Sequence, residues 1–188
     1  MAVLPIVITG DPVLHTPARP VGEIDDRIRG LVADMVETMH AAPGVGLAAP
    51  QIGEGIRLFV WHWEEDDGRV HQGVAIDPEL WIRPQATGPA SEDHESEGCL
   101  SMPGERFPLR RADAAILHAR GLDGVRYTIE ADGWLARIFQ HEYDHLDGIL
   151  YADRLEHAHA KNAMKAVKRE GWGRAGVTWL PGVDKLEG

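Results

Sequence analysis

A single cysteine, Cys99, in 188 residues excludes an internal disulfide and makes the chemistry of that one thiol a separate question. No apolar run is long enough to span a membrane. The opening residues, MAVLPIVITGDPVL, carry no positively charged stretch and are interrupted by Pro5, Gly10 and Asp11, so they do not read as a secretory leader. The expectation is a soluble, cytoplasmic protein with no membrane partner. Positive charge is also scarce: 19 Lys and Arg stand against 30 Asp and Glu, for a formal net charge of -11. Such a surface field repels nucleic acid and anionic lipid, except at a local basic patch, and sequence-specific nucleic-acid binding is not expected. Internal repeats and low-complexity tracts are missing. Gly44 and Gly46 are not followed by Gly-Lys-Ser/Thr, which removes a phosphate-binding loop. What is present, 44% hydrophobic and 26% charged residues, suits one globular domain with a full core.

Residues 4–8 read as a short strand. In 25–42, Ile28, Leu31, Val32, Met35, Val36 and Met39 form a helical stripe that Pro43-Gly44 stops. Strand-like segments at 56–63 and 73–80 flank the acidic turn EEDDG. The turn-rich stretch 83–98, RPQATGPASEDHESEG, is expected as a polar surface excursion, and MPGERFP as a further loop. RGLDG joins strands at 114–119 and 125–130 with the spacing of a hairpin connection. A last helix spans about 154–170. After Gly171 three glycines in six residues and no period suggest an extended, loosely attached tail, with Trp172 and Trp179 available to pin it. The helix-strand alternation of a parallel sheet is missing. The fold class expected is α+β, with antiparallel or mixed β-sheets around a central helix, flanked by N-terminal and C-terminal helices. Residues 1–170 form one catalytic domain on this reading, and 171–188 its tail.

The central helix is DGWLARIFQHEYDHLDG, residues 132–148. Asp132 is placed to cap it, and Leu135, Ile138 and Phe139 recur at three- and four-residue steps. His141 and His145 are four apart, so both imidazoles leave one face and can converge on a metal ion with Glu142 beside them. Glu142 and His145 continue the face of Leu135 and Ile138. Ionisable groups buried there unpaired would cost several kcal/mol or shift their pKa strongly, unless a metal or a hydrogen-bond network satisfies them.

A catalytic site of this type wants three protein ligands and an open position. The extended pattern HExxHxxGxxH is matched through Gly148 but ends in Tyr151. Cys99 upstream, and Glu156, His157 and His159 on the last helix, are the candidates for the third ligand. The helix candidates would make a metallopeptidase; Cys99 acting alone with a histidine base would make a thiol hydrolase but leave the paired histidines unexplained. A non-catalytic zinc protein that binds a peptide or the ribosome would have no use for Glu142.

Three stretches, GVGLAAPQ at 44–51, EGCLS at 97–101 and QHEYDHLDG at 140–148, resemble the signature motifs of bacterial peptide deformylases in order and separation. The resemblance runs from about residue 4 to about residue 170. It implies removal of the formyl group from N-terminal formylmethionine by a divalent metal on Cys99, His141 and His145, with Glu142 as the catalytic carboxylate. It further implies that the Gln51 amide and the Leu100 N–H stabilise the reacting oxygen and that Val45 lines the pocket for the methionine side chain. Gly46 would let the substrate backbone lie against the loop. Arg137 matches a position near that pocket that is apolar in some members, where it would narrow or polarise the mouth. Fe²⁺ is the metal implied, with Zn²⁺, Ni²⁺ or Co²⁺ able to occupy the site. Lys161, Lys165, Lys168 and Arg169, with Arg174 beyond, gather cations on the last helix. They complement the helix dipole, or, as the resemblance implies, dock transiently on the ribosome as the chain emerges.

Overall fold

In the computed structural model, which describes residues 2–85, 87–184 and 186, the strands are β1 Ile6–Val7, β2 Gly46–Ala48, β3 Leu58–Glu64, β4 Val70–Ile82, β5 Ser96–Cys99, β6 Met102–Pro108, β7 Ala114–Arg120, β8 Arg126–Asp132 and β9 Thr178–Trp179. The α-helices are α1 Asp26–Ala41, α2 Gly133–Leu146 and α3 His157–Arg169. A five-stranded sheet has the order β2-β3-β4-β7-β8, and two small sheets pair β5 with β6 and β1 with β9. Each pairing between these named strands is antiparallel. This is the α+β architecture expected, with α2 central. Among the described residues no helix is long and apolar enough to cross a membrane.

Local chemistry explains the helix placement. Asp25 caps α1, its carboxylate accepting from the Ile28 N–H at 2.9 Å, and the stripe of α1 buries Ile28, Val32, Met35 and Met39. In α2 the periodic residues Leu135, Ala136, Ile138, Phe139 and Leu146 pack on Phe59, Trp61 and Leu117 of the large sheet. The Trp61 and Phe139 rings meet edge to face at 5.1 Å. Burying each large side chain contributes about 1.5–3 kcal/mol, so this layer holds the ligand-bearing helix against the sheet. Asp132 occupies the N-cap of α2, but contrary to expectation its side chain makes no capping bond. The Gly133 N–H is satisfied instead by the Asp113 carbonyl at 3.0 Å.

Two further expectations are corrected. MPGERFP is a strand, β6, because it pairs with β5 from Ser96↔Pro108 to Gly98↔Arg106. Residues 83–85 and 92–94 of the polar excursion are exposed, but Glu97, read as part of it, is 4% exposed. Among its described residues the tail is pinned at Trp179, as that side chain allowed: β9 pairs with β1, Ile6↔Trp179, and Trp179 is 1% exposed in the main core. A tryptophan supplies more apolar area than the glycines around it cost in order, which is why the terminus docks.

A bulge between Ile76 and Glu79 bends β4. Asp77 there adopts φ 48°, and its carboxylate accepts from the Val21 N–H at 2.8 Å and pairs with Arg120. An L-residue pays about 1–2 kcal/mol for that conformation, which Asp tolerates better than Ala. Both Asp77→Ala and Asp77→Gly should lower stability, Ala by about 1 kcal/mol more than Gly. Urea unfolding checks this; equal losses would show that the backbone conformation contributes nothing to the difference.

Candidate metal centre

The inward face of α2 carries His141, Glu142 and His145, which are 8%, 4% and 1% exposed. β5 ends opposite at Cys99, where the register with β6 shifts and turns the thiol toward the helix. Cys99 Sγ lies 3.3 Å from His145 Nε2, which lies 3.3 Å from His141 Nε2, and all three donor atoms fall within 4.8 Å of one another. Sulfur and nitrogen donors at ordinary bond lengths on a tetrahedral ion are about 3.3 to 3.6 Å apart, so the cluster fits one cation. Among the described residues no other group of three such ligands occurs. Glu156 and His157 are exposed, and His159 packs near Phe107, so a third ligand from the last helix is ruled out. Tyr151, which stands where the longer motif would have its third histidine, lays its ring 6.0 Å from that of His141 and donates to the Glu105 carbonyl.

The electrostatics ask for positive charge. Burial alone would depress His141, but hydrogen bonds to Cys99 and Glu97 outweigh it and hold the imidazole well above its ordinary value. Burial, reinforced by His141 and Arg111, takes His145 well below its own, leaving a neutral donor ring. Burial also pushes Glu142 up to about 7. Glu142 Oε2 and His145 Nδ1 are buried with no hydrogen-bond partner in the protein. A cation among Cys99, His141 and His145 answers this donor set better than a proton on one ring.

Behind the ligands stands a network that sequence reasoning missed. Glu97 Oε1 accepts from His141 Nδ1 at 3.1 Å and from Arg111 at 2.7 Å, while Oε2 accepts from Arg137 at 2.8 Å and again from Arg111 at 3.2 Å. Burial would raise the Glu97 carboxyl, yet its bonds to His141 and Arg111 hold it far below the usual carboxylate range. Arg111 also reaches Asp144 at 2.6 Å, and Arg154 grips the same Asp144 at 2.6 and 2.7 Å. No local spacing signals it, because the register with β6 shifts between Gly98 and Cys99 and breaks the strand alternation that would relate Glu97 to Cys99.

The remaining residues named from the sequence come together around a cavity of about 590 Å³ that opens on Cys99, His141 and Glu142. Val45, Gly46, Gln51, Leu100 and Arg137 all line it. The Gln51 side-chain oxygen accepts from the Ala48 N–H at 2.9 Å, which turns its NH₂ toward Cys99 Sγ at 3.6 Å and Ser101 Oγ at 3.4 Å. Arg137 lines the wall with its guanidinium drawn onto Glu97 and the Leu109 carbonyl and stacked 5.2 Å from the Trp134 ring. Gly46 has a steric reason the sequence did not show. A Cβ there would lie 2.3 Å from Glu142 Oε1, so only glycine leaves that carboxylate its place.

Removing Glu97 takes a carboxylate from two buried arginines, leaving Arg111 on Asp144 and Arg137 on the Leu109 carbonyl. Glu97→Ala should cost about 3–5 kcal/mol of stability. It should also weaken metal affinity about 10–100-fold through a wandering His141 ring. Glu97→Gln, which keeps an acceptor, should lose less of both. Urea titration beside a metal-binding titration decides; a Glu97→Ala protein with parent stability and parent affinity would reduce the network to decoration.

The family model for polypeptide deformylase matches residues 3–161. The chain is 48% identical to peptide deformylase 2 of Corynebacterium efficiens over 186 residues, covering 98% of this chain and 96% of that protein. It is 48% identical to the peptide deformylase of Mycolicibacterium smegmatis over 97% of this chain and 96% of that one. Among solved structures, the peptide deformylase of Thermus thermophilus superposes with a TM-score of 0.75 at 41% identity, covering 89% of this chain and 95% of that one. That of Synechococcus elongatus in complex with actinonin does so with a TM-score of 0.78 at 35% identity, covering 90% and 88%. With the Cys/His/His cluster in place and similarity over nearly its whole length, the chain belongs to the polypeptide deformylase family.

Proposed function

We propose that this chain hydrolyses the N-terminal formyl group of formylmethionyl peptides, releasing formate and a free α-amine. The observation that carries this is the convergence of Cys99, His141 and His145 beside a buried carboxylate, Glu142, at the floor of an open cavity. Cys99, His141 and His145 would hold a divalent cation, which would supply Lewis acidity toward a water and the formyl carbonyl. Glu142, buried beside the three ligands, accepts the water's proton and returns it to the leaving amine. As charge develops on the formyl oxygen, Gln51 Nε2 and the Leu100 N–H donate to it; losing one such donor typically costs about 10²–10³ in rate. Gln51 suits this role because its amide is already oriented by Ala48.

Substrate placement follows from the sheet edge. The His62 N–H bonds the Val45 carbonyl while Gly46 is paired with Trp61, so Gly46 and Trp61 are a non-hydrogen-bonded pair. The Gly46 N–H and C=O therefore point away from β3, at the free edge of the sheet, where a peptide can add as a strand. Val45, exposed beside the cavity, supports the methionine side chain, and Arg137 polarises the wall. Fe²⁺ is the metal we assign, with Zn²⁺, Ni²⁺ or Co²⁺ as substitutes, and elemental analysis of protein purified without oxygen tests it. The compartment we assign is the cytoplasm, where formylated chains emerge.

Formate should be released from formyl-Met-Ala-Ser and scarcely any acetate from the acetylated analogue, because the extra methyl must enter the closed space between Gln51, Leu100 and the ligands. Comparable turnover of the two would sink the assignment. Glu142→Ala should keep its metal and lose about 10²–10⁴ in rate, whereas Cys99→Ala should lose metal and rate together.

We further propose a transient ribosome contact through α3. Arg169, though exposed, is paired with Glu105 and Glu170, whereas Lys161, Lys165 and Lys168 are exposed on the same helix. Phosphate contacts make binding fall steeply with salt and do not touch chemistry on a short free peptide. Reversing the three lysines to glutamate should weaken ribosome co-sedimentation at low salt and leave tripeptide turnover near the parent value; unchanged co-sedimentation would make them a solvated helix face.

A further inference from the structure

The C-terminal segment reaches the reacting centre. The indole N–H of Trp179 donates to the Leu100 carbonyl at 2.8 Å, and the Thr9 N–H donates to the Ser101 carbonyl at 2.9 Å. These two bonds hold both carbonyls of the turn between β5 and β6. Their donors are locked to each other: β1 pairs with β9, Ile8 N–H bonds the Val177 carbonyl at 2.9 Å, and the Gly173 N–H bonds the Thr9 carbonyl at 3.0 Å. Trp179 lines the cavity and lies beyond residue 161, where the family model ends.

We infer that Trp179 is a positioning residue for deformylation, its indole N–H fixing the Leu100–Ser101 peptide so that the Leu100 N–H stays aimed at the oxygen that gains charge. This rests on the assignment of the Leu100 N–H as a donor to that oxygen. In a two-residue turn a peptide plane can rotate about its flanking dihedrals at little cost, so a donor there is preorganised only when the neighbouring carbonyl is tied down. Cys99 ties one side of Leu100, as a ligand; Trp179 ties the other. A donor that must be reoriented at the moment of reaction loses most of its advantage, which shows in kcat and spares KM.

Replacing Trp179 by benzothienylalanine keeps the size of the ring and removes only the N–H. With metal content and thermal midpoint near parent values, its kcat on formyl-Met-Ala-Ser should fall about tenfold while KM stays within about twofold. Trp179→Phe should show the same split with a lower midpoint. Ile28→Ala, in the same core cluster but on α1, is the destabilised control and should keep the parent kcat. Parent kcat in the benzothienylalanine protein, or a raised KM at unchanged kcat, would overturn the inference, and the isosteric variant decides even if Trp179→Phe fails to fold. The parent protein in the same assay separates the two levels: no formate from the parent would remove the functional reading itself, whereas an active parent and an unslowed isostere would remove only the role of Trp179.

Discussion

The buried pairing of Glu97 with Arg111, Arg137 and His141 is the interaction on which the site depends. Taking such charges out of water costs several kcal/mol per ion, and attraction offsets that only when every oxygen is occupied. Here the signs alternate from Arg137 through Glu97, Arg111 and Asp144 to Arg154, and both oxygens of each carboxylate accept from arginine. The chain of charges joins β5, the segment before β7, α2 and the segment before α3. Apolar packing alone holds α2 on the sheet but is tolerant of small rotations; the directed bonds are not. Because Glu97 holds Nδ1 of His141, Nε2 is the nitrogen presented to a cation, which makes the network part of the ligand geometry.

The same helix supports the fold and the chemistry, and it is buried around nearly its whole circumference. Its N-terminal turns give Leu135, Ala136, Ile138 and Phe139 to the sheet, and its C-terminal turns give His141, Glu142 and His145 to the centre. Glu142 is accommodated only because β2 offers a glycine at the point of closest approach. Gly46 thus has two functions, one steric toward the carboxylate and one in leaving its backbone groups outward at the sheet edge. The first requires glycine, while the second is set by the register with β3.

The chain termini are not accessories to this arrangement. Strands of two residues, β1 and β9, would be marginal alone, but each is anchored by a fully buried side chain, Ile6 and Trp179. Between them they supply the hydrogen bonds that hold the turn following Cys99. Order in the last residues and geometry at the centre are therefore coupled, although 79 positions separate Trp179 from Leu100.

The α+β class, the stripe of α1 and the pairing of His141 with His145 were all determined by the sequence by itself, because helical and strand periodicities are local and a four-residue step is a geometric statement. The polar residues on the apolar face of α2 announced a buried site for the same reason. The residues alone left the third ligand among Cys99, Glu156, His157 and His159, with the softness of a thiolate speaking for Cys99, and the resemblance to deformylases selected it. Its contact with His145 spans 46 positions, that of Glu97 with His141 spans 44, and neither separation leaves a periodic trace. Glu97 was submerged in a polar stretch whose composition reads as surface, and Trp179 in a glycine-rich tail that reads as loose. The tertiary structure decided both, since a charge is worth burying only beside partners brought from elsewhere in the chain, and a tryptophan anchors a tail only where the core has left room for it.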